Sequence, residues 1–539
     1  MSGEIHGRRL VLVTVGIMLA LFLAALDQTI VGTALPRIVA ELKGLDFYAW
    51  VLTAYLVTST IMTPISGKLG DLFGRKPLLL TGMVGFVVAS WLCGLSQDMI
   101  QLVTFRGIQG LFGGILFSSV FASIADIFTI EMRSRIQGVF GGIFGIASVV
   151  GPTIGGYLTD NFTNIIPGVA GWRWVFYVNL PVGLAAILFV FFTMPRTQHN
   201  ATWRDIDFPG VAALTAGLAP LLVAFSITRD HPWGSPEVLG LLGIGAAVLV
   251  VFYFLERRTD HPIVPFVLFK NRTFAVAVIA GFLVAVGMFG AIVYVPLVYQ
   301  GVLGIAATNS GLLITPMMVG LVIGSVSSGQ LMLRVKRYRY LGTFAMGLVA
   351  LGTYLMSGIT VDTKELEVVR DLVIVGLGVG ITFPLYLNSV QSAVEPRYIG
   401  VVTSQIQFFR NVGATIGTAV LGSFLSQRLP ANIQTRIDAL SLPPEIQQRF
   451  ASTGTGNVQT LFDPAARANI PPAFQGVFDQ VLSAVRSGLA ATLHDVFLAA
   501  SAAAMLALVA SVFLDDVPIR LKQRGAQVPA ETPAPAFGD

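Results

Sequence analysis

Apolar runs of about twenty residues recur along the whole chain, and they restrict the fold more than any other feature. A helix of about twenty residues spans the hydrocarbon of a bilayer. Backbone groups in lipid must bond within the protein, which favours helices as the spanning elements. The predicted spans are fourteen, at residues 11–34, 48–70, 77–95, 99–124, 135–159, 173–195, 208–227, 236–255, 273–299, 308–332, 340–358, 367–390, 401–426 and 490–514. Only 12% of the 539 residues are charged, about half the share in soluble domains, so the sequence predicts an all-α membrane protein.

Two short patterns return at the same offset of 262 residues. The matched residues are Gly67 with Gly329, Arg75 with Arg337, Gly151 with Gly413 and Gly155 with Gly417. A shared offset predicts two homologous six-helix halves, at residues 1–204 and 257–514. Two unpaired spans lie between them at residues 205–256, and we expect a disordered cytoplasmic tail at 515–539 because this stretch is rich in Pro and Ala. Repeated halves are the organisation of many secondary transporters.

The distribution of Lys and Arg predicts the orientation. With the N-terminus inside, the inner segments carry 21 Lys and Arg residues and the short outer loops carry six. This bias supports a cytoplasmic N-terminus, and an even number of spans places the C-terminus inside as well. We therefore expect a multi-pass protein of the cytoplasmic (inner) membrane, whose net charge of +5 lies in loops that meet anionic lipid.

Several kinds of chemistry lack their sequence signatures. No phosphate-binding loop ending in Gly-Lys-Ser or Gly-Lys-Thr is present, which argues against ATP as the energy source. The five histidines are scattered without metal-ligand spacing, and no serine-hydrolase elbow occurs. No basic surface with interleaved aromatic residues suits nucleic acid. We expect neither an enzyme nor a protein with a cofactor or metal.

Six motifs resemble signatures of one family. They lie at residues 26–36, 67–76, 106–110, 151–156, 172–181 and 408–413. The chain resembles the major facilitator superfamily, in particular its fourteen-span drug:proton antiporters, over nearly its whole length. The resemblance implies two pseudo-symmetric six-helix halves plus two inserted helices. It also implies export of lipophilic toxic compounds, cationic ones included, with energy from a proton gradient.

Asp27 and Arg106 are the candidates for proton coupling. A carboxylate in hydrocarbon is costly unless it is protonated, paired or facing water. Asp27 could carry the proton or contact a cationic substrate, or it could hold a partner helix structurally. Arg106 keeps its charge when buried and could attract Asp27 in one conformation and release it in another, or it could be a fixed partner for Gln109 or a carbonyl group.

The motif at residues 67–76 is predicted to lie at the inner surface. The resemblance implies that it is a latch that holds the two halves together there. Its candidate residues are Gly67, Asp71, Gly74, Arg75 and Lys76. Asp71 can accept from Arg75 or from the N-terminus of a nearby helix, and the alternative is a charged turn that only fixes topology. The second copy has Leu333 and Lys336 at the positions of Asp71 and Gly74, so we expect a one-sided latch.

The fifth span carries the motif Gly151, Pro152, Gly155 and Gly156. Proline removes a helical hydrogen bond and kinks the helix, and the glycines permit close packing, which we expect against the neighbouring half. In the family that this chain resembles, this motif goes with exporters. From the residues alone, it indicates only a flexible or closely packed helix.

Candidates for the substrate cavity are aromatic and polar side chains within the spans. They are Tyr55, Gln109, Phe112, Phe144, Tyr294, Tyr299, Asn388, Gln391, Gln405, Phe408 and Arg410. A cavity of this composition would suit lipophilic small molecules. Each of these residues could instead be ordinary helix packing.

Residues 427–489 are predicted to form a long outer segment with short amphipathic helices, such as one at 477–486. This segment is a candidate site for an extracytoplasmic partner. It keeps open an alternative function, the export of lipids or lipid-like molecules. A non-transporting sensor on the same fold is a further alternative. The expected partners are the small-molecule or lipid substrate, protons and membrane lipid.

Overall fold

A computed structural model describes residues 7–43, 47–162, 165, 169–195, 202–228, 231–305, 313–335, 337–395, 398–440 and 475–515. Fourteen long helices lie within these ranges. They are α1 (Arg8–Leu42), α2 (Tyr48–Phe73), α3 (Arg75–Leu95), α4 (Met99–Ile127), α5 (Ile130–Asn161), α6 (Gly171–Thr193), α7 (Phe208–Ile227), α8 (Pro236–Glu256), α9 (Arg272–Leu297), α10 (Thr315–Arg334), α11 (Tyr338–Ser357), α12 (Glu365–Ala393), α13 (Ile399–Asp438) and α14 (Gln475–Val512). The helix α6 opens with a 3-10 turn, and α9 continues into a π-helical turn, Val298–Val302. The predicted all-α fold with fourteen helices is confirmed.

Eleven of these helices are long and apolar enough to cross a membrane by composition. The other three, α2, α10 and α13, carry more polar or small residues. Their positions explain this, because α2 packs against α13 and α10 packs against α5 and α12 inside the bundle. A helix that faces protein or a cavity on several sides does not need a fully apolar surface.

The helices form two groups that meet along two seams. In the first group α1 packs against α5 and α6, and α2 packs against α4. In the second group α9 packs against α13 and α14, and α11 packs against α12 and α14. The groups meet where α2 contacts α13 and where α5 contacts α10. The boundaries proposed from the sequence, at residues 204, 256 and 514, stay predictions.

The inserted helices α7 and α8 pack on each other beside the seam between α2 and α13. Leu214, Leu218 and Leu222 of α7 share an apolar cluster with Ile61 of α2 and Phe408 of α13. Most of α8 faces outward, because only 17% of an apolar 18-residue stretch of this helix is buried. The pair therefore covers one seam on the lipid side.

A short strap leads from α8 back into the second group. The carboxylate of Glu256 accepts hydrogen bonds from the backbone N–H of Ile263 at 3.1 Å and of Val264 at 3.4 Å. The amide of Gln405 in α13 donates to the carbonyl of Ile263 at 3.4 Å. These bonds fasten the strap at residues 257–265 to both α8 and α13.

The ends of α13 and α14 differ from the sequence prediction. The helix α13 continues to Asp438 rather than 426, and α14 begins at Gln475 rather than 490. The predicted short helix at 477–486 is thus the first part of α14. The two extensions pair through Ile433, Ile437, Val481 and Val485, which are buried. Residues 441–474 of the outer segment and nearly all of the predicted tail, 516–539, lie outside the described residues.

Candidate functional site

A buried ion pair joins α1 to α4 inside the first group of helices. Asp27 and Arg106 are 0% and 1% exposed. The guanidinium Nη1 of Arg106 donates to Oδ2 of Asp27 at 2.6 Å. Charged side chains within membrane spans usually pair with an opposite charge in this way. The structure therefore brings together the two residues that the sequence put forward for proton coupling.

Two amides complete the shell of the Asp27 carboxylate. Nε2 of Gln109 and Nδ2 of Asn179 donate to its Oδ1 at 2.9 and 2.8 Å. Asn179 also donates to the hydroxyl of Ser90 at 3.0 Å, so that α3 and α6 join the network. Asn179 lies within the motif at residues 172–181, but the sequence pattern predicted no role for it.

Arg106 has neutral partners besides Asp27. Its Nη1 also donates to Oε1 of Gln109 at 2.7 Å, and its Nε donates to the carbonyl of Val51 at 3.4 Å. Its guanidinium carbon lies 4.4 Å from the ring centroid of Tyr55. Protonation of Asp27 would remove the negative charge while the guanidinium stays charged. The ion pair and its neutral partners thus join α1, α2, α4 and α6.

The latch motif crosses between the two groups of helices. Arg75 pairs with Asp71 and donates through Nε to Asp126 Oδ2 at 2.9 Å. The second oxygen of Asp71 accepts the backbone N–H of Val401, in the first turn of α13, at 3.1 Å. Both partners that the sequence offered for Asp71, Arg75 and a helix N-terminus, are thus present.

Glycine allows this end of the two groups to close. A Cβ on Gly67 would overlap the side chain of Ser404 in α13. The turn between α2 and α3 has Gly74 at φ 91°, in the region that favours glycine. Lys76 donates to the carbonyls of Phe191 and Met194 at 2.7 and 2.6 Å, which ties the start of α3 to the end of α6.

The second copy of the motif has a different setting. Arg337, which matches Arg75, lies at the N-cap of α11 over the ring of Tyr340, with 5.8 Å to the centroid. In the described part of the chain Arg337 has no ion pair. Lys336 lies outside the described residues.

The glycine motif of α5 packs on α1, within the same group of helices. A Cβ on Gly151 would overlap Thr29, and one on Gly155 would lie 2.8 Å from the carbonyl of Ile30. The expected packing against the neighbouring half is wrong for these residues, because this face of α5 turns toward α1. Gly156 has open space on its side, and α5 continues through Pro152 to Asn161.

Other glycines of α5, which the sequence analysis missed, make the contact between the groups. A Cβ on Gly138 would lie 2.8 Å from the carbonyl of Ser325 in α10, and one on Gly141 would overlap the Ser325 hydroxyl. A Cβ on Gly145 would lie 2.9 Å from Cγ2 of Val322. Their spacing of three and four residues places them on one face of a helix, which is the signal that could have identified them.

A cavity of about 650 Å³ lies between the two groups of helices. It reaches the end of the bundle at which α2 begins and α13 ends, where Tyr48 and Leu429 line it. Its opposite limit is near Gln137 and Leu387, before the closed contact of Gly67 with Ser404. The volume suits a drug-sized molecule.

Three of the predicted cavity residues line this space, namely Phe144, Tyr294 and Arg410. The other eight do not: Tyr55, Gln109, Phe112, Tyr299, Asn388, Gln391, Gln405 and Phe408. Tyr55 and Gln109 belong to the ion-pair network, Phe112 packs on Gly85 and Gln391 bonds Thr403. Asp27 is also absent from the lining, whereas its neighbour Gln28 is part of it.

Arg410 of α13 lies in the cavity wall and is 6% exposed. Its guanidinium carbon stacks 3.6 Å from the centroid of the Phe383 ring. Its Nη1 donates to Oε1 of Gln407 at 2.9 Å, and its Nε has no hydrogen-bond partner. Gln137 of α5, also in the lining, has both amide atoms buried without a partner. Gln137 is not among the residues predicted from the sequence, although a polar side chain within a membrane span is a signal that could have identified it.

Within the described residues, no group of three or more His, Cys, Asp or Glu side chains could hold a metal ion. The described residues bring together an ion pair, a latch and a cavity.

Comparison with known proteins agrees with this arrangement. Residues 17–418 match the model of the Major Facilitator Superfamily. The chain belongs to the major facilitator superfamily. This confirms the family that the sequence motifs suggested.

Two curated relatives from Bacillus subtilis (strain 168) are similar along nearly the whole chain. The multidrug transporter protein MdtP is 37% identical over 532 residues, 97% of this chain and 95% of its own length. Multidrug resistance protein 3 is 33% identical over 516 residues, 94% of this chain and 96% of its own length. The predicted similarity to multidrug efflux transporters is confirmed.

A solved structure of the human organic anion transporter MFSD10 superposes with a TM-score of 0.59 at 14% identity, over 94% of this chain and all of that one. At this identity the likeness shows the fold alone. Together with the helices described above, these comparisons make this chain a multi-pass membrane transporter.

Proposed function

We propose that this protein is a proton-driven antiporter that exports lipophilic small molecules by alternating access. The observation that carries the proposal is the Asp27–Arg106 pair, a buried ion pair between α1 and α4. Asp27 is adjacent in sequence to Gln28, which lines the cavity. Two multidrug transporters that are similar over nearly the whole chain support small molecules as the cargo.

The proposed cycle starts from the conformation described here. With the N-terminus in the cytoplasm, the latch at Asp71 and Arg75 closes the inner end, and the cavity reaches the outer end. A proton that reaches Asp27 from outside neutralises the carboxylate and weakens its bond to Arg106. The helices α1, α4 and α6 then shift against one another, and this favours opening of the inner end. Cargo binding and proton release on the inside reverse the change.

The test is uphill transport in proteoliposomes with an imposed pH gradient, using lipophilic dyes of positive, negative and zero charge. The wild type should accumulate at least one dye only when the gradient is present. Asp27→Asn resembles the permanently protonated state, so it should lose gradient-driven accumulation. It should still exchange the dye across the membrane without a gradient.

Asp160→Asn is the matched control. Asp160 is exposed at the end of α5, and its nearest Arg37 nitrogen is 3.7 Å away. The Asp160→Asn variant lacks one carboxylate outside the hydrogen-bond network of Asp27, and it should transport the dye like the wild type. Full gradient-driven accumulation by Asp27→Asn, at equal reconstitution, would refute the proposed coupling. If no dye moves in a folded wild-type preparation, the lipid cargo considered above is tested next by lipid transfer.

A further inference from the structure

The charge of the cavity is set by a single side chain. Of the forty described residues that line it, Arg410 is the only one with a full charge, and none of the forty is Asp or Glu. The acidic residue nearest in sequence to the lining, Asp27, is held in its ion pair with no exposed surface. Among the described lining residues, a bound molecule therefore meets a guanidinium and no carboxylate.

Arg410 is also incompletely satisfied. Its Nη1 has Gln407 as a partner, while its Nε is buried without one. Among the described residues it forms no ion pair. A buried charge without an opposite charge is costly, and the guanidinium cannot lose its proton to relieve that cost. The charge of Arg410 is therefore uncompensated by the described residues.

The surroundings of Arg410 suit an amphipathic ligand. The guanidinium carbon lies over the Phe383 ring, 3.6 Å from its centroid, and the guanidinium Nε has no acceptor. Phe117, Phe140 and Phe144 give the cavity an aromatic wall. The side-chain amide of Gln137 is a second polar group in the lining, and both its Nε2 and its Oε1 are buried without a hydrogen-bond partner.

We infer that the cavity takes lipophilic organic anions, in which a carboxylate or sulfonate binds Arg410 and an aromatic or aliphatic body packs on the phenylalanines. This reverses the expectation of cationic substrates, because a cation would lie near the uncompensated guanidinium without a counter-charge. The inference rests on the proposed export function in that it treats the cavity as the cargo site.

Binding to the purified protein in nanodiscs of zwitterionic lipid tests the inference without any gradient. Three ligands share a naphthalene ring: dansylate, neutral dansyl amide and a naphthyl trimethylammonium cation. Wild type should bind dansylate most tightly. Arg410→Gln should weaken dansylate binding about 10- to 100-fold, as expected for a hydrogen-bonded charge contact. It should change the affinity of dansyl amide by less than about twofold, since this ligand has no full charge to lose.

Two further variants separate the guanidinium from general effects. Arg410→Lys keeps the charge but loses the planar fork, so its affinity for dansylate should fall between those of wild type and Arg410→Gln. Arg436→Gln removes an exposed arginine that lies at the end of the same helix, α13, and does not line the cavity. It should bind all three ligands like the wild type. If Arg410→Gln does not fold, the ranking in wild type and Arg410→Lys decides.

The inference is overturned if wild type prefers the cation, or if Arg410→Gln weakens the three ligands equally. Phosphatidylglycerol that displaces dansylate from wild type would support the anion site with a lipid headgroup as the source of the charge. Failure of the transport test with Asp27→Asn leaves this equilibrium measurement unaffected, so the two proposals fail separately.

Discussion

Gly67→Ala should open the end of the molecule that the latch closes. The added Cβ would lie 2.5 Å from Ser404 Cβ, overlap its hydroxyl and lie 3.0 Å from the carbonyl of Gly400. Overpacking of this kind costs about 1–3 kcal/mol. Because α2 stays helical in either state, the cost falls on the closed conformation alone. The ratio of closed to open molecules should therefore fall by about 5- to 150-fold.

Spin labels at Met132 and Val335 report this change, since these exposed positions lie at the start of α5 and just after α10. The only native cysteine, Cys93, is buried, so labelling at introduced cysteines has little background. The distance distribution of Gly67→Ala should gain a longer component relative to wild type.

Ser404→Gly in the Gly67→Ala background removes the side chain that the new Cβ strikes. Most of the closed population should return, although the contact with the Gly400 carbonyl remains. Gly281→Ala, where no atom lies within 4 Å of the added Cβ, is the matched control. A distribution for Gly67→Ala that matches this control, or no recovery in the double variant, would refute the steric account of the latch.

Three more substitutions test contacts described above. Arg173→Met removes two hydrogen bonds of 2.7 Å to carbonyls at the end of α3. The free energy of unfolding in detergent should fall by about 1.5–3 kcal/mol, whereas the exposed control Arg37→Met should leave it unchanged. Glu256→Ala leaves two backbone amides of the strap without acceptors; hydrogen exchange there should rise at least about tenfold, and an unchanged rate would count against the strap. Ile433→Ala removes a buried side chain from the paired extensions of α13 and α14. It should lower their local stability by about 2–4 kcal/mol. Backbone amide hydrogens should then exchange faster at residues 475–489 but not in α3.

Eleven of the fourteen helices could be predicted from hydropathy alone because each carries a long apolar run. Where the helices extend into water, that signal ends. The extension of α13 to Asp438 is stabilised by Ile433 against Val485 of α14, a contact between residues far apart in sequence. Hydropathy therefore predicted that α13 ends before Asp438 and that α14 begins after Gln475, at the membrane boundary in both cases.

Which face of a helix meets which neighbour was the second limit. Asp27 and Gln28 are adjacent, and adjacent helical positions differ by about 100°. One is held inside the first group and the other lines the cavity. The sequence could offer Asp27 and Arg106 as a pair, because two charges in apolar spans need partners. It could not choose the cavity residues, because aromatic and amide side chains also serve in ordinary packing, as Phe112 does against Gly85.

The positive charge of Arg410 in the cavity has an electrical consequence for the cycle. If an anion leaves as a proton enters, both movements carry positive charge inward, and the interior-negative membrane potential drives both. Each elementary charge contributes about 2.3 kcal/mol at 100 mV, so a one-for-one cycle gains twice that amount. Export of a monovalent cation for one proton would move no net charge. A potassium diffusion potential imposed on proteoliposomes at equal pH should thus accelerate transport, and a rate independent of it would exclude an electrogenic cycle.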